Sequence, residues 1–266
     1  MQNRYVGDVG DFGKYGLLRY LTGQREAPST SSMPMCLGVV WYLYPDESHN
    51  ADGKYTGYLD DTHANHSRYR VCDLDLYDTM RRLVKTGRRN ILAVQRNRIL
   101  PVDTAYYEPS LSFPRQMPRS ERESARTRWF EGALEATADA DVIFVDPDNS
   151  LSDPANGISA SIDPLRKTGP KYVFIADLLR FFERGQSLIV YHHLGRRGTA
   201  VEQIARVAES LKASLDLPGL PRSLLYRRGS SRAYFIVPQE RHRPTLETRV
   251  SDLLRSPWNS HFELVV

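Results

Sequence analysis

The sequence predicts an α/β fold, doubly wound, with a mainly parallel sheet and flanking helices. Three observations predict it. Consecutive apolar residues, rather than alternating ones, recur at 36–43 (CLGVVWYL), 142–145 (VIFV) and 187–191 (SLIVY), which is the pattern of strands buried on both faces. Stretches with apolar residues at helical spacing separate these runs. The 266 residues, 41% hydrophobic and 26% charged, are enough for one sizeable core, so residues 1–266 read as a single α/β domain.

Each element has its own signal. Tyr15, Leu17, Leu18 and Leu21 lie at helical spacing within 13–24, with Gly23 as a stop and a Ser/Thr/Pro loop over 26–34. The strand at 36–43 ends at Pro45-Asp46, and Asp52-Gly53 marks a turn in the polar stretch that follows. A helix is expected over 73–86 with Leu76, Met80 and Leu83 inward, then a second strand at Asn90–Val94. Residues 96–120, rich in proline and aromatics, read as an irregular excursion. The helix over 120–138 carries Ser120 and Glu123 in a capping-box pattern. After the strand Val142–Val145 comes a long loop over 147–170, a helix over 174–184 stopped by Gly185, the strand 187–191 and a helix over 199–214. Runs 223–227 and 232–237 read as a terminal antiparallel pair, and a small C-terminal extension after 238 holds a helix-like piece at 245–255.

Composition excludes several classes. No stretch reaches the roughly 18–20 continuous apolar residues of a membrane span, and the N-terminal residues are acids and glycines where a secretory signal has an apolar run. The expectation is a cytoplasmic protein with no membrane partner. Cys36 and Cys72 are the only cysteines. Without a CxxC they argue against a thiol zinc site and fit a reducing compartment. The net charge is +4, but arginines cluster at 115–128, at Arg81-Arg82, Arg88-Arg89 and Arg196-Arg197, and at Arg227-Arg228 with Arg232. Two readings stand side by side: solvated helix faces, or a surface for a nucleic acid or nucleotide using Arg119, Arg122, Arg126 and Arg196.

Chemistry in an open α/β sheet gathers beyond the carboxyl ends of the strands. The foremost candidate is Asp146-Pro147-Asp148-Asn149, directly after the apolar strand. Proline turns the chain sharply away from the sheet and presents Asp146, Asp148 and Asn149, although the same residues also build ordinary turns. Tyr44-Pro45-Asp46-Glu47 ends one neighbouring strand and His192-His193 the other. Strand alternation points the two imidazoles in opposite directions, with His193 expected to face the crevice. His49, His63 and His66 lie in a polar stretch and read as solvent-exposed. The run from Gly7 to Gly16 holds four glycines, Asp8, Asp11 and Lys14 just before a helix. It reads either as a site for close backbone approach or as helix capping by Asp11, with Asp8 favouring the dipole.

At these residues the sequence resembles a known family. RYVGDVGDFGKYGLLRYL, WYLYPDE with DGKYTGYL, VIFVDPDN and SLIVYHHLGR are similar to the blocks NQYFGDxNDYxKYGLLR, WxLTPDD, FFDPDNG and SLLVYQHFPR of a widespread bacterial family of uncharacterised proteins. That similarity spans most of 3–198 and implies no activity. More distantly, the chain resembles S-adenosylmethionine-dependent methyltransferases of the ribosomal RNA large subunit methyltransferase J type. The shared order is helix, strand, Asp-Pro motif, strand and final hairpin, which implies a Rossmann-like, methyltransferase-type fold. The resemblance implies S-adenosylmethionine as cofactor, with Asp11, Lys14, Asp46, Asp52 and Gly53 near it. The motif Asp146 to Asn149 then stands where those enzymes hold an acceptor amino group. Two departures are plain: Asp148-Asn149 replaces proline and an aromatic, and Tyr44-Pro45-Asp46-Glu47 replaces a glycine-rich loop.

Three functions follow. The first is a methyltransferase-like enzyme acting on a nucleic acid or nucleotide, with Asp146, Asp148, Asn149 and His193 at the acceptor. The second is a magnesium- or manganese-dependent phosphoesterase or nuclease with Asp8, Asp11, Asp46, Asp146 and Asp148 as ligands and His193 as acid or base. The third is a non-catalytic nucleic-acid-binding module on a degenerate enzyme fold.

Overall fold

A computed structural model describes residues 1–23, 34–47, 53–64, 66–159, 162–195 and 198–266. In chain order the main elements are α1 (Val9–Thr22), β1 (Leu37–Val40), α2 (His66–Arg70), α3 (Leu74–Lys85), α4 (Ile91–Arg96), β2 (Ala105–Tyr107), α5 (Arg119–Ala136) and β3 (Val142–Val145). They continue with β4 (Leu151–Ser152), β5 (Val173–Phe174), α6 (Ile175–Glu183), β6 (Ser187–His193), α7 (Ala200–Ser214), β7 (Arg222–Tyr226), β8 (Arg232–Val237), α8 (Arg243–Arg255) and β9 (Phe262–Leu264).

The buried runs become the centre of a seven-stranded sheet ordered β2-β1-β3-β6-β8-β7-β9. Strands β2, β1, β3 and β6 are parallel, while β8 runs antiparallel to β6 and to β7. Every residue of β1 and β3 is buried, as strands covered on both faces must be. Side-chain alternation divides the core. Val39, Phe144, Ile189 and Tyr234 face α1, α3 and α8, whereas Val40, Ile143, Val145 and Val190 face α5, α6 and α7. The sheet is therefore mixed and doubly wound.

Several expectations change. Asn90–Val94 is not a strand. Asn90 caps α4, its side chain accepting the Ala93 amide at 2.9 Å, so this short, capped apolar run folds as helix. The excursion at 96–120 carries β2, which adds to β1 at the sheet edge. Helix α5 begins at Arg119 with Pro118 as cap, so Ser120 lies inside the helix and makes no capping box. A capping box instead starts α7, where Thr199 and Glu202 exchange bonds with each other's amides. The loop over 147–170 contains β4, paired with β5 in a separate two-stranded sheet. The extension after 238 is built into the domain: α8 packs on α1, and β9 pairs with β7. No helix among the described residues is long and apolar enough to cross a membrane, and both cysteines are free thiols.

Candidate functional site

Helix α1 begins earlier than periodicity suggested, and this places the glycine-rich run inside the site. Asp8, not Asp11, is the cap: its carboxylate accepts the Gly10 amide at 2.8 Å and the Tyr55 amide at 3.0 Å. Asp11 lies in the first turn. It turns toward the sheet beneath Lys14, whose ammonium lies 2.8 Å from Asp11 Oδ1 and 2.8 Å from Asp146 Oδ2. Tyr15 adds its hydroxyl to Asp11 Oδ2 at 3.1 Å. Lys14, Asp11 and Asp146 are all at most 5% exposed. Burial pushes the Asp11 carboxyl up, with Lys14 opposing. Burial works to lower the Lys14 ammonium, but Asp11 and Asp146 outweigh it and hold the group protonated.

A second charged cluster continues the motif. Asp148, its side chain 2% exposed, lies 3.7 Å from the Met1 ammonium and 3.2 Å from Lys171. It also accepts from Gln2 at 2.9 Å. Glu47 joins through Lys171 at 2.6 Å and Gln2 at 3.1 Å. Burial acts to raise the Asp148 carboxyl, yet these cations and donors hold it below its ordinary value. Asn149 donates its amide nitrogen to the Lys171 carbonyl, and its side chain, half-buried, has no partner among the described residues.

Both clusters line one cavity of about 880 Å³ above the carboxyl ends of β3 and β6, within the ~300–1,000 Å³ range of small-molecule sites. Both histidines reach its wall. His193 is exposed, whereas His192 is 7% exposed, with Nδ1 buried and without a partner among the described residues. Burial, reinforced by His193, lowers the His192 imidazole to about 4, so it is neutral near pH 7. Arg206 of α7 and Arg232 of β8 complete the wall.

The structure thus gathers Asp8, Asp11, Lys14, Gly53, Asp146, Asp148, Asn149 and His193 around one cavity. Asp46 does not join them: it is exposed and accepts the Arg4 amide at 3.3 Å, while the adjacent Glu47 turns inward. Gly53 sits at φ +80°, and a Cβ there would lie 2.6 Å from the Arg4 carbonyl, so glycine is required by the chain's own packing. Asp52, His49 and Arg196 lie outside the described residues.

Three of the four α5 arginines are engaged within the fold, while Arg128 is exposed and makes no ion pair among the described residues. Arg126 pairs with Asp177 at 2.5 Å and lies over the Phe174 ring. Arg122 donates to the carbonyls of Met117 at 2.8 Å and Leu165 at 3.1 Å, and Arg119 pairs with Asp163 at 2.7 Å. Sequence reading favoured Asp46 over Glu47 and His193 over His192, missed Lys171 and Arg206 at the cavity and Gln2 against Asp148, and placed Arg232 only in a basic cluster. For Arg232 a signal existed. It shares strand parity with Tyr234 and Ile236, which puts a charge on a buried face.

Family models, curated proteins and solved structures give no match to this chain. The cavity's chemistry therefore rests on its own side chains. No three histidine, cysteine or carboxylate residues among those described converge as metal ligands. Lys14 already stands between Asp11 and Asp146, where a divalent ion would need to sit. The end of β1 is equally filled. There the chain turns at Tyr42, at φ +26°, with its hydroxyl on Asp177 at 3.1 Å. The Tyr44 amide donates to the Met1 carbonyl at 2.9 Å. A methionine-bearing cofactor would call for small residues and open backbone there, and the chain has Tyr42 and Tyr44 with the Tyr44 amide already bonded.

Proposed function

We propose that this chain binds a nucleotide or nucleic-acid strand in the cavity above β3 and β6, on a methyltransferase-like framework. The observation that carries the reading is the motif at the cavity floor. Asp146 is fixed through Oδ2 by Lys14, and Asn149 offers an unpartnered amide beside it. A carboxylate oxygen and an amide are complementary to the amino and ring-nitrogen edge of a base. The neutral His192 adds a further donor or acceptor on the wall. Topology agrees with the framework: helix, strand, Asp-Pro motif, strand and final hairpin follow in the resembled order, with β8 inserted antiparallel between β6 and β7.

Within this framework, binding without methyl transfer is favoured by the filled end of β1. Tyr42 and Tyr44 stand after β1, where the methionine part of S-adenosylmethionine would call for small residues. Calorimetry separates the readings. Adenosine nucleotides are expected to bind, and inosine nucleotides, which lack the exocyclic amino group, to bind about tenfold more weakly. Asn149→Ala should weaken both without lowering the melting temperature. Absence of binding by nucleotides and by single-stranded oligonucleotides at high micromolar protein overturns the proposal. Binding heat with S-adenosylmethionine would restore methyl transfer.

A further inference from the structure

The charges around the cavity do not balance locally. Each lining carboxylate has a donor. Asp8 has the amides of Gly10 and Tyr55, Asp11 and Asp146 share Lys14, and Asp148 and Glu47 share Lys171. Lys14 and Lys171 are thereby matched. Arg232 and Arg206 are not: neither forms an ion pair with a carboxylate among the described residues, although both line the cavity.

Arg232 is the telling case because it is only 8% exposed. Its Nε and Nη2 donate to Ser230, at 3.2 Å to the carbonyl and 2.7 Å to the hydroxyl. Nη1 rests against Gly10, where an added Cβ would lie 1.2 Å from it. Glycine at position 10 thus makes room for the guanidinium at the start of α1. A buried cation that forms no ion pair is costly, and here it lines a cavity rather than apolar core. Burial acts to lower its pKa, but the neighbouring tyrosines and Asp8 outweigh this and keep it charged. Its planar fork suits a phosphate.

We infer that Arg232, with Arg206 of the same cavity lining, forms a phosphate subsite, seated by the absence of a side chain at Gly10. The inference rests on the nucleotide reading and names which part of the ligand the arginines hold. Arg232 is the buried anchor. Arg206, exposed on α7, is the adjustable rim contact.

Calorimetry with AMP, adenosine and inorganic phosphate tests it. Wild-type protein is expected to bind AMP about 10- to 100-fold more tightly than adenosine, the range of a charge-assisted contact. Arg232→Gln should abolish that preference and leave adenosine binding unchanged. Because Arg232 is buried, Gly10→Ala provides a second variant: it keeps the charge but displaces the guanidinium, and should lose most of the preference. Equal binding of AMP and adenosine by wild type overturns the subsite while leaving nucleotide binding intact. Phosphate binding that Arg232→Gln or Gly10→Ala abolishes, with no binding of adenosine or AMP, supports the subsite and overturns the nucleotide reading. No binding of any of the three overturns both.

Discussion

The arginines of α5 and the cations of the cavity are two concentrations of positive charge with opposite fates. On α5, Arg119, Arg122 and Arg126 each find an internal acceptor: Asp163, main-chain carbonyls and Asp177 respectively. In the cavity, Lys14 and Lys171 are matched by four carboxylates, but Arg206 and Arg232 form no ion pair among the described residues. The three α5 arginines singled out in the sequence are thus less available than the cations of the cavity. What makes a cation available to a ligand is not how many others surround it in the chain. It is whether the fold places an acceptor opposite.

The largest expected effect breaks the matched side of that contrast. Lys14→Met leaves Asp11 and Asp146 buried together without a cation, and removing one partner of a buried ion pair costs about 3–5 kcal/mol. Urea denaturation of the ligand-free protein measures it. A loss below about 1 kcal/mol would mean that the two carboxylates find water or share a proton, and that the floor of the cavity is not held by Lys14.

Next in size is a pH effect, which adds charge to the cavity wall. His192 and His261 protonate only near 4 in the fold but near 6.5 in the unfolded chain. Below 6.5 the unfolded chain takes up protons that the folded protein refuses. Stability is therefore complete above about pH 6.5 and falls as the pH drops toward 4, at up to about 1.4 kcal/mol per pH unit for each histidine. His192→Asn should remove one proton's share of that slope between pH 4 and 6.5. An unchanged slope would show that His192 takes up its proton in the fold as readily as in the unfolded chain.

The same contrast explains what was legible in the sequence. The strands at 142–145 and 187–191 and the place of Asp146 were readable because four or five consecutive apolar residues permit few other structures. The role of Asp148 was not. Its partners Gln2 and Lys171 lie 146 and 23 positions away, and only strand order brings them together. Asn90 to Val94 misled because an apolar run of that length fits helix or strand, and the deciding feature was the cap on Asn90. Glu47 rather than Asp46 faces inward for a similar reason: which of two adjacent acids points into a cavity depends on the local turn, not on residue type. Arg232 was visible as a charge, but its lack of an ion-pair partner among the described residues is a property of three dimensions.

The smallest expected effect is the sharpest test of the comparison. Arg119 and Asp163 form an ion pair in which the arginine is 67% exposed, and such solvent-screened pairs contribute little to stability. Arg119→Ala should therefore leave stability nearly unchanged. It should also leave oligonucleotide binding unchanged, because the contact it breaks is internal and lies away from the cavity. Arg206→Gln, removing a charge that forms no ion pair among the described residues, should instead reduce the slope of log affinity against log salt by about one phosphate contact. Fluorescence anisotropy over a salt series reads both variants in one experiment. If Arg119→Ala reduces the slope and Arg206→Gln does not, the polyanion surface is the α5 face after all, and the unmatched arginines of the cavity serve something other than phosphate.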